Sequence, residues 1–105
     1  MKTVISAKGN SKNDLFDPRF GRAAWFCILD AESGETRFEQ NEQTEADSGA
    51  GVKVAERMVE LGVTRVISGH FGPKAKDLLE KFSIQMVVID DEQQKISELI
   101  ERIKT

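Results

Sequence analysis

Few residues of the chain can bind a ligand or carry out chemistry, and the most prominent one lies in the stretch SGHFGPKA, residues 68–75. His70, in this stretch, is the only histidine, and it stands between an apolar run and a proline that can begin a helix. Its imidazole can donate a hydrogen bond or ligate a metal ion. It can also be an ordinary loop histidine that only caps a backbone carbonyl. Its position at a predicted strand end favours a role in a site, as a donor or a metal ligand.

Cys27 is the only cysteine, and it lies inside the apolar stretch Ala24–Leu29. A single cysteine excludes an internal disulfide, and one cysteine with one histidine excludes a four-ligand zinc site of the Cys/His type. A thiol inside an apolar strand is more often structural than reactive, so we expect Cys27 to be buried. His70 is therefore the one candidate metal ligand.

Three glycine-containing segments could form the walls of a site. The candidate binding residues in them are Arg19, Phe20, Gly21, Arg22, Gly49, Gly51, His70, Gly72 and Lys74. Glycine lets a backbone approach a ligand closely, and helix starts favour negative charge, so an anionic ligand would suit them. Arg19 and Arg22 could form an anion fork or could be ordinary solvated cations. Gly49 and Gly51 fit neither a Walker A loop nor GxGxxG, and they could supply only a turn and close packing.

Short apolar runs and turn residues predict the strands that would position these segments. The strands are predicted at Thr3–Ala7, Ala24–Leu29, Val63–Ser68 and Ile84–Ile89, with a charged, weakly alternating edge strand at Glu35–Glu39. The last of these runs in a hairpin with the strand before it, and its charges would protect the edge of the sheet.

Helical spacing of apolar residues predicts three helices. The first begins near Gly51 and stops at Gly62, and the second begins at Pro73 with Ala75, Leu78, Leu79 and Phe82 on one face. The third has Asp91 as its predicted cap, Gln94 three residues later, and an apolar stripe made by Ile96, Leu99, Ile100 and Ile103.

The order β-β-β-α-β-α-β-α predicts a five-strand mixed sheet flanked by helices. With the first and third strands parallel and the second antiparallel between them, the three glycine segments fall at one end of the sheet. Ligands of open α/β sheets favour the crevice outside the carboxyl ends of the parallel strands. The topology therefore brings the candidate residues together.

Composition limits the class of protein. The 105 residues, 39% of them hydrophobic, fit one domain spanning residues 1–105. A net charge of -3 and a pI near 5.2 argue against a general nucleic-acid binder. No apolar run approaches the ~20 residues of a membrane span, and the start of the chain lacks the apolar core of a signal peptide. We therefore expect a cytoplasmic protein that binds neither nucleic acid nor membrane.

The glycine segments, taken in order, resemble the nitrogenase iron-molybdenum-cofactor-binding family, whose members include NifX, NafY and the carboxyl-terminal part of NifB. The resemblance covers nearly the whole chain. It rests on the FGRA motif at Phe20–Ala23 before an aromatic strand, the GAG helix start at Gly49–Gly51, and the GPKA motif at Gly72–Ala75. The fold that it implies is a ribonuclease-H-like three-layer α/β/α arrangement, which agrees with the predicted element order.

The resemblance implies a non-catalytic binding or carrier domain for an anionic iron-sulfur or iron-molybdenum-type cluster, or for its precursor. Such a carrier would hold its cargo transiently and would meet a cluster donor or acceptor protein, as a monomer or a weak dimer. Many members have a histidine directly before the first FG, where this chain has Arg19. His70, directly before the second FG, could compensate for that difference.

Two other functions remain open. An interaction or regulatory module without a cluster could use the edge strand Glu35–Glu39 to pair with another chain. A magnesium-dependent phosphoryl-transfer hydrolase could use Asp47, the one acid that the topology places near the candidate residues. Fold alone does not decide among these functions.

Overall fold

The strands and helices follow each other in the predicted order. The computed structural model describes residues 1–45 and 48–104. The strands are β1 (Lys2–Ala7), β2 (Trp25–Asp30), β3 (Thr36–Gln40), β4 (Arg65–Ser68) and β5 (Gln85–Val88), and the helices are α1 (Ala50–Leu61), α2 (Pro73–Lys81) and α3 (Ile96–Lys104). Glycines in left-handed conformation stand at both ends of α1, at Gly49 and Gly62, where a residue without Cβ is least strained.

The five strands form one mixed sheet in the order β3-β2-β1-β4-β5. β1 pairs in antiparallel fashion with β2 and in parallel with β4, β3 is antiparallel to β2, and β5 is parallel to β4. The carboxyl ends of β1, β3, β4 and β5 therefore lie at the same end of the sheet, as predicted. The charged strand β3 is at one edge, also as predicted, and β5 is at the other.

Helices cover both faces of the sheet. In the central strand β1, Val4 faces one cluster and Ile5 faces the other, because successive side chains of a strand alternate. The cluster under α1 and α2 includes Val4, Phe26, Val54, Met58, Val66 and Leu79, and the cluster under α3 includes Ile5, Cys27, Ile67, Ile96 and Leu99. This three-layer α/β/α arrangement confirms the predicted fold class. Within the described residues, every helix is too short or too polar to cross a membrane.

The predicted cap of the third helix is wrong. Asp91 accepts a hydrogen bond inside the turn that precedes the helix, and α3 itself begins at Ile96. The side chain of Glu98 accepts a hydrogen bond from the backbone N–H of Lys95 at 2.8 Å, and the N–H of Ile96 donates to the carbonyl of Asp14 at 2.9 Å. The loop after β1 thus satisfies a first-turn donor that a capping residue would otherwise have to satisfy.

Phe82 was expected on the apolar face of the second helix, but its side chain is turned towards solvent. α2 ends at Lys81, and Phe82 is 50% exposed. Ser83 takes a left-handed φ of 59°, so the chain turns away from the helical path directly after Phe82. Ala75 and Leu79 carry the buried face of the helix.

Candidate functional site

Three glycine-containing segments meet in space at the carboxyl ends of the parallel strands. A Cβ placed on Gly21 would lie 2.8 Å from the backbone nitrogen of Gly51. A Cβ on Gly51 would lie 3.4 Å from both the carbonyl oxygen of Phe71 and the Cβ of Ala75. The residues 19–23, 48–51 and 70–75 therefore touch each other, and we call them together the rim.

Two helix N-termini open onto the rim without an acidic cap. The N-cap residues are Gly49 of α1 and Gly72 of α2, and neither helix has a side-chain cap or an acidic residue in its first turn. The first N–H groups of a helix have no partner inside the helix, and they carry the positive end of its dipole. Lys74 adds a cation in the first turn of α2. This end of the molecule favours negative charge.

Arg19 and His70 stand side by side although 50 residues separate them in the sequence. They form an isolated parallel β-bridge, in which the N–H of Phe20 donates to the carbonyl of His70 at 3.2 Å. The N–H of His70 in turn donates to the carbonyl of Pro18 at 2.6 Å. The His70 side chain is exposed, and its imidazole makes no hydrogen bond to any residue that the structure describes. The imidazole is thus free to meet a ligand.

Arg19 is held by a buried carboxylate that the sequence did not reveal. The Asp17 side chain is 1% exposed, and its oxygens accept hydrogen bonds from Nε of Arg19 at 3.0 Å and from Nη2 at 2.9 Å. The hydrogen bond to Asp17 and its charge raise the pKa of the Arg19 guanidinium above its ordinary value. The outer part of Arg19 remains 64% exposed. The pair fixes the guanidinium beside His70.

The expected fork of Arg19 and Arg22 has a different construction in the structure. Each guanidinium already has a protein partner, since Nη1 of Arg22 donates to the carbonyl of Thr44 at 2.9 Å. Arg22 therefore ties the first rim segment to the loop after β3. Arg19 is the arginine that faces the neighbourhood of His70.

Phe20 contributes to the rim through its backbone and not through its ring. The ring is fully buried, and it packs against Phe71 with 5.0 Å between centroids and against Phe26 with 6.4 Å. Phe20 and Phe71 follow the bridged residues Arg19 and His70, so the two aromatic residues stack beneath the two polar ones. They form the apolar floor on which the rim rests.

Asn41 is a second positioning residue that the sequence did not reveal. Its amide nitrogen donates to the carbonyls of Gly21 at 3.0 Å and Ala23 at 2.8 Å, and its oxygen accepts from the N–H of Gln43 at 2.9 Å. The side chain is buried at the end of β3. Asn41 thereby fixes the first rim segment from below. An asparagine in a polar loop carries no sequence signal for this role.

Two buried hydroxyls support the other side of the bridge. Ser6 and Ser68, at the ends of β1 and β4, lie 2.6 Å apart through their Oγ atoms. The Oγ of Ser6 also donates to the carbonyl of Asp17 at 2.5 Å. The strand ends, the Asp17 segment and the start of the His70 segment are thus joined by one hydrogen-bonded cluster.

The largest cleft lies beside the rim and contains none of the predicted site residues. Its volume is about 490 Å³, and its lining between β3 and α1 includes Glu39, Asn41, Lys53 and Arg57. The Glu39 carboxylate there accepts hydrogen bonds from Arg57 at 2.6 and 2.8 Å. Because its main charges already satisfy each other, this cleft is a poorer candidate for an anion than the rim.

Residues 1–105 match the family model described as dinitrogenase iron-molybdenum cofactor. The chain belongs to this family. The sequence resemblance is confirmed over the whole chain. Proteins of the dinitrogenase iron-molybdenum cofactor family bind a metal cofactor and are not catalysts.

Solved structures share the fold closely. The apo form of the orange protein from Desulfovibrio gigas is 29% identical with a TM-score of 0.88, and the match covers 98% of this chain and 86% of that one. A Thermotoga protein described as a candidate NifB protein is 26% identical with a TM-score of 0.82, over the same shares of the two chains. Family membership and three-dimensional similarity thus agree.

A curated relative is an uncharacterised protein of Methanocaldococcus jannaschii. It is 29% identical over 77 residues, which cover 70% of this chain. The match spans 65% of that relative, slightly less than two thirds of its length. Its description adds no activity.

The ligand set at the rim suits a loosely held anionic cluster better than a permanent one. Cys27 is fully buried, as expected, and burial raises the pKa of its thiol to about 12, so it supplies no thiolate. Within the described residues, no group of three or more His, Cys, Asp or Glu could hold a metal ion. Asp47, on which the magnesium-hydrolase interpretation depended, lies outside the described residues. The rim offers one imidazole, cations and backbone N–H groups.

Proposed function

We propose that the rim is the binding site of a carrier for an anionic iron-sulfur or iron-molybdenum-type cluster or its precursor. The observation that supports this function most is the meeting of two uncapped helix N-termini, at Gly49 and Gly72, beside the exposed His70. Negative charge at a helix N-terminus is stabilised by the unpaired N–H groups and by the helix dipole. His70 would supply one metal ligand, and Arg19 and Lys74 would supply positive charge.

Such a donor set favours release as well as binding. Clusters that stay bound are usually held by several cysteine thiolates, and the one thiol of this chain is buried. One imidazole with N–H donors leaves most of the cluster surface without protein ligands. A carrier has to pass its cargo to another protein, so weak ligation and an open rim agree with that role. The apo form of the orange protein, a neighbour in fold, agrees with a cargo that can be absent.

The first test is loading under anaerobic conditions. The protein, purified without oxygen, would be mixed with a synthetic thiolate-ligated [4Fe–4S] cluster and, separately, with isolated iron-molybdenum cofactor. We expect visible absorption that stays with the protein after desalting, and shifted amide resonances at Gly21, Gly51 and His70. Unchanged spectra at about millimolar protein, where a Kd near 1 mM still gives partial loading, would contradict the proposed function.

Variants assign the binding to the rim. Replacing the ligand in His70→Ala should weaken loading at least about tenfold, as loss of metal-site contacts commonly does. Lys74→Gln should weaken it roughly two- to fivefold, because it removes one charge near a helix N-terminus. Lys81→Gln is the matched control, since it removes the same charge from the other end of α2. Equal loading by His70→Ala and the native protein would remove His70 from the site.

A further inference from the structure

The outer edge of β5 is uncharged and unprotected, whereas that of β3 is not. β3 carries Arg37 and Glu39, and Glu39 is ion-paired with Arg57 of α1 at 2.6 Å. The sequence of β5 is Gln-Met-Val-Val, without a charge or a proline. Natural sheets usually protect their edges with such residues because an open edge can pair with another chain. The interaction edge predicted at Glu35–Glu39 is therefore the better protected of the two.

The backbone of β5 presents donors and acceptors to solvent. The N–H groups of Gln85 and Ile89 donate to the carbonyls of Thr64 and Ser68 at 2.9 Å, so alternate residues face β4. In a parallel ladder the residues between them, Met86 and Val88, direct their N–H and C=O groups away from the partner strand. No described strand lies on that side, because β5 is the last strand of the sheet.

The same edge also exposes apolar surface. The described residues expose three large apolar side chains, and two of them, Val88 at 65% and Phe82 at 50%, lie on β5 or just before it. Met86 and Val88 project to the same face of the sheet, because strand side chains alternate. A second strand laid along the edge would cover Val88 and satisfy the backbone groups at once.

We propose that β5 pairs with β5 of a second copy of this chain, in antiparallel fashion about Val87. In that register Met86 lies opposite Val88 of the second copy, and the two residue pairs can exchange about four hydrogen bonds. The outward groups of one edge thus meet the outward groups of the other. The register also places Asp90 opposite Ile84 of the second copy, so that like charges do not face each other.

The contact is weak because it is short. β5 has four residues, and pairing along so short an edge buries less than the ~1,600 Å² of a standard stable interface. The dimer therefore forms and dissociates with protein concentration. The carboxyl end of β5 lies at the rim, so antiparallel pairing directs the two rims to opposite ends of one ten-stranded sheet. Each rim remains accessible, and the dimer does not depend on cluster binding.

The test measures sedimentation velocity of the cluster-free protein from roughly 10 µM to 1 mM, the range in which a small interface dissociates. We expect the sedimentation coefficient to rise towards that of a dimer, with amide shifts centred on Met86 and Val88. Val88→Pro should abolish this rise, because it removes an outward N–H and leaves the bonds of residues 85, 87 and 89 to β4 in place. Val88→Lys keeps the N–H and should also abolish it, since pairing would bury the charge.

The matched control is Gln40→Pro on the other edge. The N–H groups of Asp30 and Asn41 donate across the β2–β3 pair to Glu35 and Ala24, so the N–H of Gln40 between them faces outward. Association of this variant should equal that of the native protein. A native chain that stays monomeric at about 1 mM would leave the edge to another protein and would overturn the proposal. Association that persists in either Val88 variant, or is lost in Gln40→Pro, would overturn it as well.

Discussion

Gly21 lies so close to the start of α1 that a methyl group would collide with it. A Cβ there would be 2.8 Å from the nitrogen and 3.0 Å from the Cα of Gly51, and both atoms belong to the backbone. Backbone cannot move aside as a flexible side chain can. We expect Gly21→Ala to lower the free energy of unfolding by about 1–3 kcal/mol, the usual range for overpacking, in urea denaturation.

Gly51→Ala is the matched control for Gly21→Ala. Its Cβ would make ordinary contacts of 3.4 Å with Phe71 and Ala75, and alanine favours a helix over glycine by up to about 1 kcal/mol. The stability of this variant should be equal to or slightly above that of the native protein. Equal destabilisation by both substitutions would show that the segments do not touch at Gly21.

The residue types of the rim could be predicted from the sequence, but the residues that support them could not. His70 and the glycines are recognisable because few other residue types ligate metals or permit close backbone approach. Asp17 and Asn41 are polar residues in loops, where exposure is the normal expectation. Only the folded chain shows that Asp17 is buried against Arg19 and that Asn41 is bonded to Gly21.

At the scale of elements, one ion pair joins the edge strand β3 to helix α1. Arg57 donates two hydrogen bonds to Glu39, and these bonds lower the pKa of the Glu39 carboxyl below its ordinary value. The pKa is lower in the folded protein than in the unfolded chain. The stabilisation is therefore fully present above the unfolded-state pKa and is lost as the pH falls through the folded-state pKa.

Glu39→Gln should accordingly destabilise the protein at neutral pH and not in acid. We expect a loss below about 1 kcal/mol at pH 7, because an exposed pair is screened by solvent. The difference from the native protein should disappear as the pH falls below roughly 4, the region of an ordinary glutamate pKa. Thermal unfolding across this range measures it. Glu60→Gln, which removes a looser contact of Arg57 at 3.8 Å, should have almost no effect; a pH-independent loss in Glu39→Gln would contradict the ion-pair explanation.

The elements themselves were more predictable than their ends. Apolar periodicity and turn residues are local properties, so they indicated all the strands and helices in their correct order. The start of α3 depends on the distant loop that holds Asp14, whose carbonyl accepts the N–H of Ile96. The fate of Phe82 depends on the left-handed turn at Ser83. Such tertiary effects have no signature in the local pattern.

At the scale of the whole molecule, Cys27 reports on how often the sheet opens. It lies on the central layer between β1 and β3, fully buried under α3, and its thiol pKa is raised to about 12 by burial. At pH 8 the native thiol should react with iodoacetamide at least roughly 1,000-fold more slowly than an unperturbed thiol, since three pKa units separate them. The urea-unfolded chain is the control, and rapid labelling of native protein would show that β2 opens readily.

The bridge between Arg19 and His70 changes how a difference between relatives is counted. Read along the chain, a histidine missing before the first FG and another present before the second are two unrelated events. In the folded sheet, neighbouring strands are about 4.8 Å apart, so the two positions are next to each other. A histidine can thus pass from one segment to the other by a single strand spacing, and a letter-by-letter alignment would record as a loss what the sheet records as a short displacement.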